Sequence, residues 1–214
     1  MDLAALAQSV IDGMADTSAR LTGEALAASV PPGRILDDGL LAGMRVVGER
    51  FRNAEMFLPD VLASARAMKE AMTLLEPVLI ASGIEPAGTV VLGTVKGDIH
   101  DIGKNLVGVM LRGAGFRVID LGTNVTAEQF ASAVAQHHPD IVGMSALLTT
   151  TMSQMKANVE KLRGAGALDS TRIFVGGAAV TRQYAESIGA AYAKDAGDAV
   201  ALAIEMLHSR EVRA

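Results

Sequence analysis

Cysteine and tryptophan are both absent from this chain of 214 residues, and aromatic residues make up only 3% of it. Without cysteine, neither disulfide bridges nor thiolate metal sites can form. Half of the residues are apolar, and much of that half is alanine. A composition so poor in aromatics favours tightly packed helices over a β-sandwich.

Basic surfaces and long apolar runs are missing as well. The formal net charge is -5, with Lys and Arg scattered among acidic residues, so no basic face is available for nucleic acid. No apolar run reaches the length that crosses a membrane. The first residues, MDLAALAQSVIDG, lack the basic start of a signal peptide. We therefore expect a cytoplasmic protein that binds neither nucleic acid nor membrane.

Residues 1 to about 84 show the spacing of amphipathic helices throughout. One stretch places apolar residues three or four apart on one face, namely Leu36, Leu40, Met44, Val47 and Phe51. A second stretch repeats the pattern with Val61, Leu62, Ala65, Met68, Met72 and Leu75. Four antiparallel helices, each burying one apolar stripe, are the simplest arrangement.

From Thr89 onward, short β-rich runs alternate with helical ones. The strand candidates are TVVLGTV, FRVIDLG, DIVGMSALL, RIFVGGAA and AAYAKDA. One helix candidate between them opens with a capping box of Thr126 and Gln129. Five strand–helix units predict a parallel, doubly wound sheet of the flavodoxin-like (Rossmann) type. The segment IEPAG, 84–88, then separates a helical domain, 1–84, from an α/β domain, 88–214.

Unusual residues follow several of the predicted strands, at the edge where open parallel sheets bind ligands. The first strand leads into a turn from Lys96 to Gly103, and the last leads into AKDAGD. Those after the third and fourth strands are Ser145, Thr149, Thr150, Thr151, Gly176 and Gly177.

The first turn places His100 between two aspartates, Asp98 and Asp101. It matches neither the dinucleotide nor the Walker phosphate motif, but a histidine held by a carboxylate suits metal ligation. The alternative is a loop histidine that only hydrogen-bonds its neighbours. The other histidines lie on helical segments elsewhere, so a zinc site is excluded. A metal bound by His100 would take most of its ligands from a cofactor.

Three motifs in order, Asp98-x-His100-x-x-Gly103, Ser145-x-Leu147 and Gly176–Gly177, resemble the cobalamin-binding fold of methyl-carrying corrinoid proteins. The helical stretch 44–77 resembles the cap of the same family, and a similar module lies in cobalamin-dependent methionine synthase. The resemblance implies a cobalamin cofactor and a methyl carrier without turnover of its own. Its partners would be a substrate-specific methyltransferase, an acceptor methyltransferase acting on folate, a thiol or homocysteine, and a reductive activase.

The resemblance also implies roles for individual residues. His100 would replace the benzimidazole of the cofactor as the lower axial ligand of cobalt, with Asp98 on its other ring nitrogen. Thr151 stands where the methionine synthase module has a serine, so its hydroxyl would extend the hydrogen-bonded chain that runs from His100 to Asp98. This chain of three residues, the relay, would take up a proton when the bond to cobalt breaks. The cofactor contacts implied on this side are Gly97, Asp98, Ile99, His100, Asp101, Ile102, Gly103, Ser145, Leu147, Thr149, Gly176 and Gly177.

Ser145 and Leu147 would line the channel of the nucleotide tail, and Gly176 and Gly177 would let the tail approach the backbone. A tight strand-to-helix turn is the alternative explanation of the glycine pair. In the helical half, Phe51, Leu58 and Val61 would cover the methyl group, with ordinary core packing as the alternative.

Other members of the wider cobalamin-binding class fit less well. A cobalamin-sensing regulator would bring a DNA-binding domain and a tryptophan in its cap, and this chain has no tryptophan. A cobalamin mutase subunit would lack the helical half. An interaction domain without a ligand is the remaining alternative.

Overall fold

Helices form the first part of the chain in this computed structural model, which describes residues 2–211. Their bounds are α1 Leu3–Ile11, α2 Ala15–Ala27, α3 Pro32–Arg34, a π-helix Ile35–Leu41, α4 Ala42–Arg52 and α5 Leu58–Ala81. The segment from α3 to α4 runs on without a break, so the unit consists of four helical rods. The predicted helical domain is thereby confirmed.

The π-helix changes which residues of this segment are buried. Its turns are wider than α-helical ones, and Ile35 and Leu40, five residues apart, are both fully buried. Leu36, which the 3.6-residue spacing assigned to the core, is partly exposed. The assignment of Leu62 to the core of α5 is wrong as well, because its exposure is 47%.

The second part of the chain alternates strands and helices. Its elements are β1 Thr89–Thr94, α6 Ile102–Gly113, β2 Arg117–Asp120, α7 Ala127–His137, β3 Ile141–Ser145, α8 Met152–Gly164, β4 Arg172–Gly176, α9 Arg182–Ile188, β5 Ala191–Ala193 and α10 Ala196–Glu211. All five strands are parallel, in the order β2-β1-β3-β4-β5. This order confirms the predicted flavodoxin-like sheet.

The chain divides into two compact units. One comprises the residues up to Ala87 together with Arg112–Gly115, and the other comprises Gly88–Leu111 and the residues from Phe116 onward. The domain limits 1–84 and 88–214 stay a prediction. None of the helices between residues 2 and 211 combines the length and hydrophobicity that a bilayer crossing requires.

One face of the sheet carries the main apolar core of the α/β unit. Val91, Val142, Met144 and Val175 point to this face and pack against side chains of α7, α8 and α9, including the fully buried Phe130. Across the sheet, the step from β1 to β2 runs in the opposite direction to the step from β3 to β4. Because crossovers between parallel strands are right-handed, α6 therefore lies on the opposite face of the sheet from α8.

That other face carries a row of small residues at the carboxyl ends of its strands. Thr94, Ser145, Gly176 and Ala193 are register partners across β1, β3, β4 and β5. They share a face because side chains alternate along a strand, and Met144 beside Ser145 points into the core opposite. We infer that this row of small residues leaves a shallow trough along this edge of the sheet, with Ser145 and Gly176 as its partly exposed members and Thr94 and Ala193 buried.

Candidate functional site

The turn after β1 is held in place by three hydrogen bonds, which involve Thr94 and Asn124. The buried Thr94 hydroxyl donates to the His100 carbonyl oxygen at 3.0 Å. The Gly97 N–H donates to Asn124 Oδ1 at 2.8 Å, and the Asn124 N–H donates to the Asp98 carbonyl oxygen at 3.0 Å. Gly97 has a φ of +82°, which glycine adopts without strain. The turn therefore presents Asp98 and His100 in a fixed orientation.

Asp98 is fully buried and accepts hydrogen bonds from five donors. Its Oδ1 accepts from the His100 N–H at 3.1 Å and contacts His100 Nδ1 at 2.7 Å. Its Oδ2 accepts from the Leu147 and Leu148 N–H groups at 2.8 and 3.3 Å and from Thr151 Oγ1 at 2.9 Å. Burial by itself raises the pKa of this carboxyl. The hydrogen bonds from His100, Leu147 and Thr151 together lower the pKa by more than burial raises it, so the pKa of Asp98 lies well below its usual value.

An ionised Asp98 determines the tautomer of His100. A carboxylate only accepts hydrogen bonds, so Nδ1 of the ring must carry its proton toward Oδ1. The lone pair of the neutral ring is then on Nε2. The His100 side chain is 47% exposed whereas Asp98 is not exposed at all, so the accessible part of this pair is an imidazole able to act as a ligand.

Thr151 directs its hydroxyl away from the helix that it begins. It occupies the N-cap position of α8, yet it makes no side-chain capping bond, although threonine there commonly accepts from a backbone N–H of the first turn. Its Oγ1 instead lies 2.9 Å from both Asp98 Oδ2 and the Leu148 carbonyl oxygen. The structure thus brings Asp98, His100 and Thr151 together in one hydrogen-bonded chain.

Large apolar side chains flank the histidine and are left exposed. Ile99 and Ile102 are 75% and 71% exposed, and Leu147 and Leu148 are 41% and 43% exposed. Apart from its chain neighbours and the backbone of its own helix, Gly103 has no atom of a described residue within 4 Å of the place where a Cβ would lie, so packing among these residues does not require a glycine there. Exposed apolar groups around one polar donor are typical of a site that binds a large, mostly apolar ligand.

The row of small residues beside this turn contains a hydroxyl that has no partner among the described residues. Ser145 is partly exposed, and its Oγ makes no hydrogen bond to any residue that the structure describes.

The two glycines at the end of β4, Gly176 and Gly177, are explained by backbone packing alone. A Cβ at Gly176 would lie 2.8 Å from the Ala193 carbonyl oxygen, and one at Gly177, with its φ of +116°, would collide with the Ala146 carbonyl. Any further role for these glycines in admitting a nucleotide tail stays a prediction.

The remaining predicted cofactor contacts include Asp101 and Thr149 in the α/β unit and three apolar residues in the helical unit. Asp101 accepts from Asn105 Nδ2 at 3.0 Å, and Thr149 is exposed. Phe51 and Leu58 in the helical unit are partly exposed, whereas Val61 is fully buried there. Their predicted contact with a methyl group stays a prediction.

Sequence reasoning missed two contributors to this region. Leu148 donates to Asp98 through its backbone N–H, for which the sequence carries no signal. Lys104, in the first turn of α6, is buried. A lysine at a helix start is ordinarily exposed, so the apolar residues that follow it at 106 and 107 were the only hint.

The donor set fits one kind of metal centre. Among residues 2–211, no group of three or more His, Cys, Asp or Glu side chains could hold a metal ion. One exposed imidazole with an apolar surround fits an axial ligand to a metal that brings its other ligands with it.

Comparison with known proteins agrees with this geometry. Residues 88–203 match the protein family described as B12 binding domain, and residues 3–76 match a second family of the same description. A corrinoid protein of Desulfitobacterium hafniense (strain Y51) is 44% identical over 206 residues, covering 94% of this chain and 95% of the relative. Trimethylamine corrinoid protein 2 of Methanosarcina mazei is 44% identical, covering 87% of each chain.

A solved structure is also similar over nearly the whole chain. It is the methanol:cobalamin methyltransferase complex MtaBC from Methanosarcina barkeri, one chain of which is 32% identical with a TM-score of 0.87. The match covers 96% of this chain and 79% of that one.

Proposed function

This chain belongs to the corrinoid proteins with a B12-binding domain, and on that premise we propose that it carries a methyl group between two methyltransferases. Its cofactor is cobalamin or a related corrinoid. We propose His100 as the protein ligand to the cobalt. The observation that supports this assignment is the 2.7 Å contact between His100 Nδ1 and the buried Asp98, which leaves Nε2 as the exposed donor.

Each residue of the relay has a separate task in this proposal. Bound at the site, the corrinoid supplies a cobalt centre that can accept and release a methyl group. Asp98 orients the imidazole and holds the proton of Nδ1, and Thr151 donates to the second carboxylate oxygen.

The trough is the proposed site for the nucleotide tail of the cofactor. Small side chains at Thr94, Ser145, Gly176 and Ala193 leave room beside the sheet, and the Ser145 hydroxyl is available as a hydrogen-bonding group. Ile99, Ile102, Leu147 and Leu148 would cover the apolar surface of the macrocycle and exclude water from the ligand bond.

The names of the relatives suggest the class of partner. One is a trimethylamine corrinoid protein and another belongs to a methanol:cobalamin methyltransferase complex. We propose that this chain works with a substrate-specific methyltransferase for a small methylated amine or alcohol. An acceptor methyltransferase and a reductive activase would complete the system.

The ligand assignment is tested with the purified full-length protein loaded with aquocobalamin. We expect binding of about one cobalamin per chain and the visible spectrum of a histidine-ligated corrinoid. His100→Ala should give the spectrum of a form without histidine ligation. His208→Ala, an exposed histidine on α10, is the matched control and should leave the spectrum unchanged. A wild-type spectrum in His100→Ala would overturn the assignment.

The carrier function needs a second measurement. The loaded protein is reduced and incubated with a trimethylamine- or methanol-specific methyltransferase and its substrate, and the return of the methylated spectrum is followed. Methylation that requires both the enzyme and the substrate supports a carrier. If no methyltransferase of the amine or alcohol classes methylates the protein, the carrier proposal is wrong.

A further inference from the structure

Lys104 is a buried lysine just beyond the histidine turn. Its side chain is 3% exposed, and lysine is almost never found so deeply buried unless it is paired. Its Nζ donates to both carboxylate oxygens of Asp120 at 2.6 Å and to Asn105 Oδ1 at 2.7 Å. Three acceptors thus fix an ammonium group that the relay itself does not use.

The contacts of Lys104 connect the histidine turn to the edge strand of the sheet. Asn105 links Lys104 to Asp101, since the Asn105 Nδ2 donates to Asp101 Oδ2 at 3.0 Å. Its backbone N–H donates to the Asp101 carbonyl oxygen at 2.7 Å. At the other end, Asp120 Oδ1 accepts from the Gly122 N–H at 2.9 Å. The network therefore runs from the residue that follows His100 to the end of β2.

Stability alone is a weak reason for such a pair. The desolvation cost of a buried ion pair commonly cancels its attraction, and apolar residues of similar volume would stabilise the fold as well or better. Asp120 lies on the α6 face of the sheet as the register partner of Leu92. An apolar side chain at 104 could have packed there. What the ion pair adds is a defined position for the start of α6.

We infer that Lys104 and Asp120 are positioning residues that hold the His100 turn in register for cobalt ligation. The inference rests on the proposed function, in which His100 is the ligand. Thr94 and Asn124 hold the turn on the side of Asp98 and His100, and the Lys104 network holds it at Asp101. Without the Lys104 network, the start of α6 can shift while the sheet stays intact. The His100 imidazole is then no longer held in the orientation that cobalt ligation requires.

The test uses a corrinoid whose binding depends on the histidine bond. Cobinamide lacks the nucleotide tail, so its Kd, measured by visible titration of the full-length protein, reports ligation by His100. The key variant is Lys104→Met with Asp120→Asn, which removes both charges, while the asparagine can still accept from the Gly122 N–H. Lys161→Met is the matched control, because Lys161 is an exposed lysine 3.8 Å from Glu128.

Urea unfolding of the protein without corrinoid separates positioning from stability. Lys104→Met alone should be destabilised because it leaves a partly buried carboxylate unpaired, and the double variant should regain that stability. We nevertheless expect the double variant to bind cobinamide about ten-fold more weakly than wild type, the lower end of the usual loss when an outer partner of a metal ligand is removed. Lys104→Arg, which keeps the charge, should restore part of the affinity.

Other outcomes are decided by the same titrations. A wild-type Kd in the double variant would overturn the inference, as would a Kd that simply follows stability across the series. If the Lys104 variants do not fold, Asn105→Ala is the deciding variant, because Asn105 is exposed and its loss removes both the link to Asp101 and one of the three acceptors of Lys104. An unchanged Kd there also overturns the inference. Failure of the proposed function is distinguishable, since His100→Ala itself would then bind cobinamide normally.

Discussion

At the scale of single residues, the chemistry of the site depends on how completely Asp98 is engaged. Five donors surround one buried carboxylate, and one of them belongs to the half-exposed His100 ring. All five would lose their acceptor if Asp98 were replaced by an apolar residue. The carboxylate therefore contributes to folding as well as to the orientation of the ligand.

Replacing Asp98 by asparagine should destabilise the protein at neutral pH by about 3 kcal/mol, because an amide cannot accept from all of these donors. The pKa of Asp98 is lowered by folding, so its stabilisation is fully present above the ordinary carboxyl pKa, about 4. That stabilisation is lost as the pH falls below this value. Urea unfolding of both proteins without corrinoid, from pH 7 to pH 3, should show a difference in unfolding free energy that narrows below about pH 4.

Thr151 supplies the matched controls for this experiment. Thr151→Val removes one donor to Asp98 at nearly constant shape and should cost less than Asp98→Asn. Thr151→Ser keeps the hydroxyl and should stay close to wild type. A difference between wild type and Asp98→Asn that does not change down to pH 3 would mean that an ionised Asp98 contributes nothing to the stability.

At the scale of elements, the register of the parallel strands creates the trough. Thr94, Ser145, Gly176 and Ala193 come from four different strands, and only their alignment makes a continuous strip of small residues. Ser145→Leu would place a large side chain in the middle of this strip. It should leave the sheet intact, because the Ser145 side chain is partly exposed.

We expect Ser145→Leu to weaken cobalamin binding at least about ten-fold while cobinamide, which has no tail, binds as before. A lost apolar or polar contact of 1.4 kcal/mol already corresponds to a factor of about ten. The measurement is a parallel titration with the two corrinoids, and Ser187→Leu, at an exposed serine on α9, is the matched control. Equal weakening for both corrinoids would show that the trough does not hold the tail.

The sequence predicted the elements better than their details. Alternating strand and helix patterns were enough for the sheet, because buried parallel strands are short, apolar and separated by helices. The π-helix was missed since a 3.6-residue spacing assigns Leu36 rather than Ile35 to the core. The buried Lys104 was missed since nothing local marks the carboxylate of Asp120, sixteen residues away, as its partner. The position of Thr151 came from family resemblance and not from spacing.

At the scale of the whole molecule, the described part of the proposed cobalamin site lies in the α/β unit. A ligand that binds only the folded state stabilises it by about 2.7 kcal/mol at a free concentration of 100 times its Kd. For a unit of this size, that corresponds to a shift in Tm of roughly 10 °C. Calorimetry of the full chain with and without cobalamin should show a rise of this order in the transition of the α/β unit.

The calorimetric experiment has a direct comparison in His100→Ala. At the same cobalamin concentration, this variant should show a smaller rise, because it retains the trough but lacks the ligand bond. A rise equal to that of wild type would mean that the histidine contributes nothing to the affinity.

The single protein donor at this site also decides which metals the site can hold. Free zinc and copper ions compete for any site with several nitrogen or sulfur ligands, in an order that the protein does not control. A lone imidazole offers such ions little, since stable sites for them need three or four protein ligands. Asp98, the nearest anion, has its oxygens already engaged by its five donors. The small number of protein ligands thus makes the site selective, and His100 stays available for a metal that is already bound in a macrocycle.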